Sequence, residues 1–269
     1  MTSTSQFILP FAALALLFAV PGAAQDEPAP ADDAQQLAKD LANPISSMIS
    51  LPFQFNVDGG LGVSDGVRST MNIQPVVPVG LGEDWNVIIR TIVPIIHQQD
   101  VVEPASSQFG LGDTLQSFFF SPKSGGIIWG VGPAVLYPTG TNSALGGEKW
   151  GAGPTAIVLK QAGHNTIGVL ANHIWSIAGD DTRADVSSTF IQPFISHTTA
   201  TAMTISLASE ATYDWKADQW TVPVILSAAQ LTHIGKQPIS VGAGLRYYVE
   251  KPEGGPEFGV RLITTFLFK

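Results

Sequence analysis

Four charged residues lie in segments where polar and apolar residues alternate, and they are the groups that could act on another molecule: Arg90, Glu210, Arg246 and Arg261. A guanidinium group binds carboxylates and phosphates, whereas a carboxylate binds cations or pairs with a guanidinium group. In a β-strand, a period of two places such charges on one face and the apolar side chains on the other. The four residues would therefore either attract a solute or neutralise one another.

Histidine beside a hydroxyl group is a second kind of site, used by outer-membrane phospholipases in the form of a Ser–His pair. Such a pair needs both side chains on the same outward face of a barrel. His173 and Ser176 are three residues apart and His197 adjoins Ser196, so both pairs fall on opposite faces. The other histidines fall near predicted loops or rims: His97, His164 and His233. We predict no catalytic residues, and a lipid-modifying enzyme remains an alternative.

Metal, phosphate and nucleic-acid chemistry have little support in the sequence. The run GDDTRAD (179–185) holds three carboxylates but lacks the Gly and the terminal Glu of an EF-hand loop, and we interpret it as a solvated outer loop that could share divalent ions with lipopolysaccharide. The Gly-Leu-Gly repeats at 60–62, 80–82 and 110–112 lack a strand–GxGxxG–helix context and indicate turns. The chain has no Cys and no Lys/Arg cluster. We therefore predict no metal site, no cofactor and no nucleic-acid partner.

The composition limits the fold that positions these residues. Apolar residues make up 45% of the 269 residues and charged residues 13%, which is about half the usual charged share of a soluble domain. After residue 24 no apolar run reaches the ~18 residues of a spanning helix. A closed β-barrel is the other fold that satisfies every backbone group in lipid. A soluble all-β sandwich also fits the composition.

The N-terminal region has the pattern of a targeting segment. Residues 7–20 form an apolar run, and Gly22-Ala23-Ala24 follows it with the small residues that a signal peptidase recognises. We predict a signal peptide at 1–24, with an uncleaved anchor or a buried core element as alternatives because no Lys or Arg precedes the run. Residues 25–48 are predicted to be a periplasmic linker with a short helix over 32–42 that Pro44 ends. We interpret this linker as a tether, since it is too short to fill a large barrel as a plug.

Residues 49–269 are predicted to form a transmembrane antiparallel up-and-down β-barrel of twelve strands. Segments of alternating polarity are separated by Gly, Asn, Asp, Ser and Pro, which is the pattern of such barrels. The predicted strands are 50–61, 68–79, 85–97, 112–121, 127–137, 150–161, 165–177, 187–198, 202–213, 219–229, 238–250 and 257–268. An even number places both ends of the barrel on one side of the membrane.

Turn lengths and aromatic residues support this assignment. Connections alternate between tight turns and longer loops such as 98–111 and 138–149, although the turn at 230–237 is longer than the rule predicts and the first outer loop is short. Aromatic residues lie near predicted strand ends, as two interfacial girdles require: Trp85, Trp129, Tyr137, Trp150, Trp175, Tyr213 and Trp220. A soluble sandwich has no reason to place its tryptophans there, so we favour the barrel.

Several separated motifs resemble a known family: LANPISSMISLPFQFN (41–56), GLGDTLQSFFFSP (110–122), ANHIWSIAG (171–179), FIQPFI (190–195), WTVPVILSA (220–228), GKQPISV (235–241) and RLITTFLFK (261–269). Together they resemble the bacterial outer-membrane transporters grouped as the MetA-pathway of phenol degradation family, whose members are often mislabelled neuromedin U. The resemblance covers essentially the whole predicted mature chain. It implies an outer-membrane barrel with a role in passing small compounds, aromatic ones among them, and it brings no catalytic residues.

Charge placement then predicts the lining of the pore. An Arg on the lipid face costs about 2–4 kcal/mol at mid-depth, so the charged strand residues should point inward. The predicted pore-lining set is Arg90, Glu210, Arg246, Arg261, Asn86 and Tyr248. The excess of arginine favours anions, unless Glu210 pairs with one or two arginines and fills a narrow, closed lumen.

We expect a passive porin-like channel for small, aromatic or anionic solutes in the outer membrane of a Gram-negative bacterium. Its expected partners are outer-membrane lipids, lipopolysaccharide, the barrel assembly machinery and the small-molecule solute. The alternatives are a structural or adhesive barrel without transport and, less favoured on the geometry of its histidines, a lipid-modifying enzyme.

Overall fold

The computed structural model describes residues 31–102 and 106–268. The predicted signal peptide and its cleavage site lie outside the described residues. Among the described residues, no helix is both long and apolar enough to cross a bilayer.

The chain forms one closed antiparallel barrel. Its fifteen strand segments are β1 (Ile49–Leu61), β2 (Gly66–Ile73), β3 (Val76–Leu81), β4 (Trp85–Gln99), β5 (Ser107–Leu111), β6 (Thr114–Pro122), β7 (Ile128–Tyr137), β8 (Lys149–Ala162), β9 (Asn165–Gly179), β10 (Ser187–Thr198), β11 (Met203–Ser209), β12 (Ala211–Asp214), β13 (Gln219–Ile234), β14 (Gln237–Glu250) and β15 (Phe258–Phe268). The pairs β2–β3, β5–β6 and β11–β12 each form one interrupted strand, which gives the twelve predicted barrel strands. The barrel closes where β1 pairs with β15 and Ile49 lies opposite Phe268.

Most predicted strand positions agree with the structure, and two connections are corrected. The loop predicted at 98–111 was too long, because β4 extends to Gln99 and β5 begins at Ser107. The prediction of a long turn at 230–237 was wrong, because β13 continues to Ile234 and pairs with β14 down to Gln237. The remaining turn is Gly235-Lys236, where Gly235 has a φ of 59°. A two-residue hairpin needs positive φ, which glycine adopts without strain.

Turn lengths distinguish the two ends of the barrel. One end carries the short turns 82–84, 123–127, 163–164, 199–202 and 235–236, together with the beginning of β1 and the end of β15. The other end carries the connections 62–65, 138–148, 180–186, 215–218 and 251–257, together with the end of β4 and the beginning of β5. Short turns and both chain ends mark the periplasmic side of such barrels, so we call these the periplasmic end and the outer end.

Side-chain exposure follows the predicted alternation. Val260, Leu262 and Phe268 on β15 are 45%, 56% and 42% exposed, whereas Arg261 between them is 5% exposed. The apolar side chains thus face outward and the polar ones inward, as lipid around the barrel requires. Aromatic contacts mark both ends of this apolar belt: Trp85 with Trp129 at the periplasmic end, and Tyr137 with Trp150 and Tyr213 with Trp220 at the outer end.

The segment before β1 packs inside the periplasmic end of the barrel instead of hanging below it. Helix α1 (Ala31–Leu41) begins and ends near the predicted positions. Ala38 is 4% exposed and packs against the inward-facing Leu231 and Leu267. Ile45 is also 4% exposed and inserts into an apolar cluster that includes Phe119. The tether interpretation is therefore corrected to a plug.

A short segment is sufficient for this plug because the lumen narrows at the periplasmic end. Large apolar side chains from the surrounding strands point inward there and pack around Ile45: Val76, Ile88, Phe119, Ile157, Leu159 and Leu170. On β7 the inward position is Gly130, where an added Cβ would lie 3.3 Å from Ile45 Cδ1. We call residues 31–48 the plug.

Candidate solute path through the lumen

The structure places the six predicted pore residues on the inward face: Arg90, Glu210, Arg246, Arg261, Asn86 and Tyr248. Asn86 lies near the periplasmic end of β4, and Arg90 lies four residues further along the same strand, on the same face. Arg246 and Tyr248 lie on β14, Arg261 lies on β15, and Glu210 lies between β11 and β12. That they line an open pore remains a prediction.

Glu210 and Arg261 form the first ion pair of the lumen. Arg261 donates from Nη1 and Nη2 to the two carboxylate oxygens of Glu210 at 2.8 and 2.7 Å. Arg261 Nε donates to Asn56 Oδ1 at 2.7 Å. Glu210 stands at the interruption between β11 and β12, where it extends across the lumen to β15. This pair is the neutralising arrangement that the sequence offered as the alternative to a cationic pore.

Asp58 and Arg246 form a second pair that the sequence analysis missed. Arg246 Nη1 donates to Asp58 Oδ1 and Oδ2 at 2.8 and 2.7 Å, and Tyr248 donates to Asp58 Oδ1 at 3.1 Å. The signal was present, because Asp58 shares the polar positions of β1 with Gln54 and Asn56. Arg246 is thus bound to a carboxylate and is not a lone cation.

Two other arginines form no ion pair among the described residues. Arg68, also missed in the sequence, donates from Nε to Gln98 Oε1 at 2.9 Å. Arg90 donates from Nη2 to Gln74 Oε1 at 2.9 Å. These four guanidinium groups and the two carboxylates Asp58 and Glu210 together carry an excess of two positive charges.

Three cavities follow one another along the lumen. The periplasmic cavity, of about 250 Å³, surrounds the plug. The middle cavity, of about 370 Å³, lies between Arg90 and Glu210. The outer vestibule, of about 700 Å³, is lined by Arg68, Asp58 and the loops around Gly62 and Gly254. Gln54, Gln74 and Arg90 border both the periplasmic and the middle cavity. A solute crossing the barrel would pass Arg68 first and Arg90 afterwards.

The loop 138–148 is held at the outer mouth by charged side chains. Asp113 accepts hydrogen bonds from Gly140 N and Gly147 N at 3.0 and 2.6 Å. Arg183 donates to the carbonyl oxygens of Ser143 and Gly146 at 2.7 and 2.6 Å. These contacts fix the loop and connect it to the acidic loop 180–186.

The acidic loop at 180–186 is organised by hydrogen bonds. Thr182 donates its hydroxyl and backbone N–H to Asp180 Oδ1, and these bonds lower the pKa of Asp180. Ser176 donates to Asp185 Oδ1 at 3.2 Å and Lys149 Nζ lies 3.4 Å from it, and both lower the pKa of the Asp185 carboxyl. No grouping of three metal-ligating side chains occurs among the described residues.

One histidine has a hydroxyl partner on a neighbouring strand, on the outward face, that the sequence did not single out. His173 and Ser176 lie on opposite faces as predicted, and His197 contacts Asn165 instead of the adjoining serine. However, His173 Nδ1 lies 2.7 Å from Thr189 Oγ1 on the neighbouring strand. The register of β9 against β10 places Thr189 directly opposite His173. The same hydroxyl accepts from the indole of Trp215, and Nε2 of His173 has no partner among the described residues.

Comparison with known proteins identifies the fold. No protein-family model matches the chain, and no curated protein sequence matches it. The chain is similar to the COG4313 outer membrane channel from Pseudomonas putida F1, with a TM-score of 0.63, 14% identity, and coverage of 82% of this chain and 94% of that chain. It also aligns with the NanC porin at a TM-score of 0.47, 10% identity, and coverage of 81% and 98%. The outer membrane phospholipase of Salmonella typhi aligns at a TM-score of 0.45, 11% identity, and coverage of 88% and 98%. At 14% identity, the similarity to the COG4313 channel shows the fold alone, which is that of bacterial outer-membrane β-barrels.

Proposed function

We propose that this chain is an outer-membrane channel that passes small solutes and prefers anions. The observation that supports this proposal most directly is the arrangement of the lumen, where Arg68 and Arg90 stand in successive cavities without a carboxylate partner among the described residues. A charge in a narrow lumen acts at close range and is poorly screened compared with a charge in bulk salt. The acidic loops at 180–186 and 251–257 oppose this preference at the outer mouth, but they lie further from the narrow section.

The plug regulates conduction in this proposal. Residues 31–48 occupy the periplasmic end, so a solute that has passed Arg90 meets the plug residues that line the periplasmic cavity. Gln35 Nε2 lies 2.8 Å from His164 Nδ1, and Gln161 Nε2 donates to the carbonyl oxygen of Lys39 at 2.8 Å. These contacts involve exposed or half-buried groups, which water can replace at little cost. We expect the plug to shift when a solute passes.

Membership of the MetA-pathway of phenol degradation family is part of the proposal. It is supported by the motifs at 41–56, 110–122 and 261–269 and by the fold shared with an outer membrane channel. The resemblance suggests aromatic solutes. Lipopolysaccharide and the barrel assembly machinery are proposed partners, the first because the outer end carries exposed aromatic side chains beside charged loops.

Planar-bilayer recordings and liposome swelling test the proposed channel. Purified barrel should give discrete conductance steps, and a salt gradient should give a reversal potential on the anion-selective side. Liposomes containing the protein should swell in small neutral and anionic solutes. Absence of both conductance and swelling would favour a structural or adhesive barrel. Release of fatty acid from phospholipid vesicles, lost in Thr189→Val, would favour the lipid-modifying enzyme.

A further inference from the structure

The middle cavity of the lumen has two walls of unlike chemistry. One wall carries the guanidinium group of Arg90 together with side-chain amides. The other carries the apolar side chains of Ile92, Leu115, Leu136, Ile174, Val186 and Phe190, with Ser117, Asn172, Ser188, Gln192 and Thr212 between them. At about 370 Å³ the cavity is within the size range of small-molecule binding sites, which are mostly apolar with a few placed polar groups. It can therefore orient a molecule that has one charged end and one apolar end.

The charge on the polar wall favours an anion. Arg90 uses Nη2 to bind Gln74, and no carboxylate pairs with its guanidinium among the described residues. Glu210 also borders the cavity, but both of its oxygens accept from Arg261, which offsets its charge. The local sum of Arg90, Arg261 and Glu210 is one positive charge. A cation would have to approach a carboxylate that is already engaged.

Amide side chains around Arg90 offer additional hydrogen bonds. Gln54 and Asn72 line the cavity from β1 and β2, and Asn172 and Gln192 line it from β9 and β10. Among the described residues, the side chains of these four form no hydrogen bond to another protein group. Amides can donate to the oxygens of an anion. These groups are held on rigid barrel strands, so their positions are fixed before a solute enters.

We propose that the middle cavity binds a small monocarboxylate with an apolar, ring-sized body, whose carboxylate contacts Arg90. This inference rests on the proposed channel function and names the solute class. The planar guanidinium group matches the geometry of a carboxylate, and the apolar wall contacts the body of the molecule. A dicarboxylate is disfavoured because the cavity lining that the structure describes includes a single arginine, Arg90.

Binding of benzoate to the purified full-length barrel in detergent, followed by calorimetry, tests the proposal. Benzamide, which has the same ring without the charge, and acetate, which has the charge without the ring, are the comparison ligands. Benzoate should bind at least about tenfold more tightly than either one, since a charge-assisted hydrogen bond and an apolar contact each contribute that much. Arg90→Gln should weaken benzoate about tenfold and leave benzamide unchanged. Lys160→Gln, which removes the same charge from the lipid face, should have no effect.

The outcomes separate the site from the channel. Equal benzoate affinity in the parent and in folded Arg90→Gln would overturn the site, as would benzamide binding as tightly as benzoate. If Arg90→Gln does not give a heat-modifiable folded barrel, Arg90→Lys replaces it as the test. This variant keeps the charge but loses the planar guanidinium group, so it should weaken benzoate binding by less than the tenfold expected for Arg90→Gln. An unchanged affinity would again contradict the site. A barrel that conducts but binds no benzoate refutes only this inference, whereas one that binds benzoate without conducting refutes only the channel.

Discussion

Carboxylate pairing decides which arginines of the lumen carry an uncompensated charge. Arg246 and Arg261 each donate two hydrogen bonds to one carboxylate, whereas Arg90 donates one to an amide. A pair contributes little to the potential at a distance because its charges cancel. The positive potential of the narrow section is therefore assigned mainly to Arg90.

Neutralising Arg90 should shift the ion selectivity of the channel. Arg90→Gln is expected to move the reversal potential in a salt gradient toward cation preference, because one uncompensated charge leaves the lumen. The control is the double variant Asp58→Asn with Arg246→Gln, which removes a complete pair and should keep the parent value. Arg246→Glu alone should also shift toward cations, since it leaves Asp58 without its partner. If Arg90→Gln and the double variant behave alike, Arg90 does not control the pore.

Glu210 should stabilise the barrel as well as neutralise Arg261. The Arg261 side chain is 6% exposed and that of Glu210 is 21% exposed, so removal of the carboxylate leaves a buried guanidinium group without a charge partner. Glu210→Gln is expected to lower the free energy of unfolding by about 3 kcal/mol. Urea titration of folded barrel in lipid vesicles measures this loss. Glu253→Gln, in an exposed outer loop, should leave stability unchanged, and a Glu210→Gln barrel as stable as that control would contradict the structural role.

At the scale of single elements, the acidic loop 180–186 should respond to pH. The pKa of Asp185 is lowered by Ser176 and Lys149, so its contacts are fully present above the ordinary value of 3.8 and are lost as the pH falls through the lowered pKa. Because the chain has no Cys, a spin label on Ala184→Cys reports this loop alone. Label mobility should rise as the pH falls from neutral to below 3.8. The same label in an Asp185→Asn variant should be mobile throughout, and a label whose mobility ignores pH in both proteins would contradict the assignment.

The plug is the element whose removal should affect conduction most. Deletion of residues 25–46 takes away α1 and Ile45 and leaves β1 complete. Single-channel conductance is expected to rise severalfold, because the periplasmic cavity then opens to the bulk solution. Deletion of residues 25–30 alone keeps the plug and serves as the control. Equal conductance in the two deletions would show that the plug does not obstruct the path.

For the whole molecule, the closing contact between β1 and β15 completes the barrel. Phe268 lies opposite Ile49 at the periplasmic end, is 42% exposed and faces outward, and Phe53 packs against Phe266 with ring centroids 6.0 Å apart. A closed barrel has no free sheet edge, so every strand has two neighbours in lipid. Loss of apolar side chains at this seam weakens the contact on which closure depends.

Phe268→Ala should therefore lower the yield of folded barrel much more than deletion of Lys269. The phenylalanine belongs to β15, the strand that closes the barrel against β1, whereas Lys269 lies beyond β15. Heat-modifiable mobility on a gel separates folded from unfolded protein and gives both yields. Similar yields for the two variants would count against a role of the terminal aromatic residue in assembly.

The sequence alone determined the number of strands, the face that each residue occupies and the positions of the aromatic girdles. These properties follow from a period of two along each strand, which is local and can be read without knowing any partner. Arg261 between Val260 and Leu262 is an example, since its inward direction needs only its neighbours. The end of β13 was missed because Gln230 to Ile234 lack a clear alternation, and pairing with β14 alone extends the strand.

Only the tertiary structure decided which charges neutralise one another and where the N-terminal segment lies. Asp58 is 188 residues from Arg246 and Glu210 is 51 residues from Arg261, so these pairs exist only when the strands have their final register and the barrel is closed. The plug likewise depends on the width of the lumen at one end, which is set by inward side chains from several strands. The ion pairs and the width of the lumen each depend on residues that are far apart in the sequence, so no local sequence pattern predicts them.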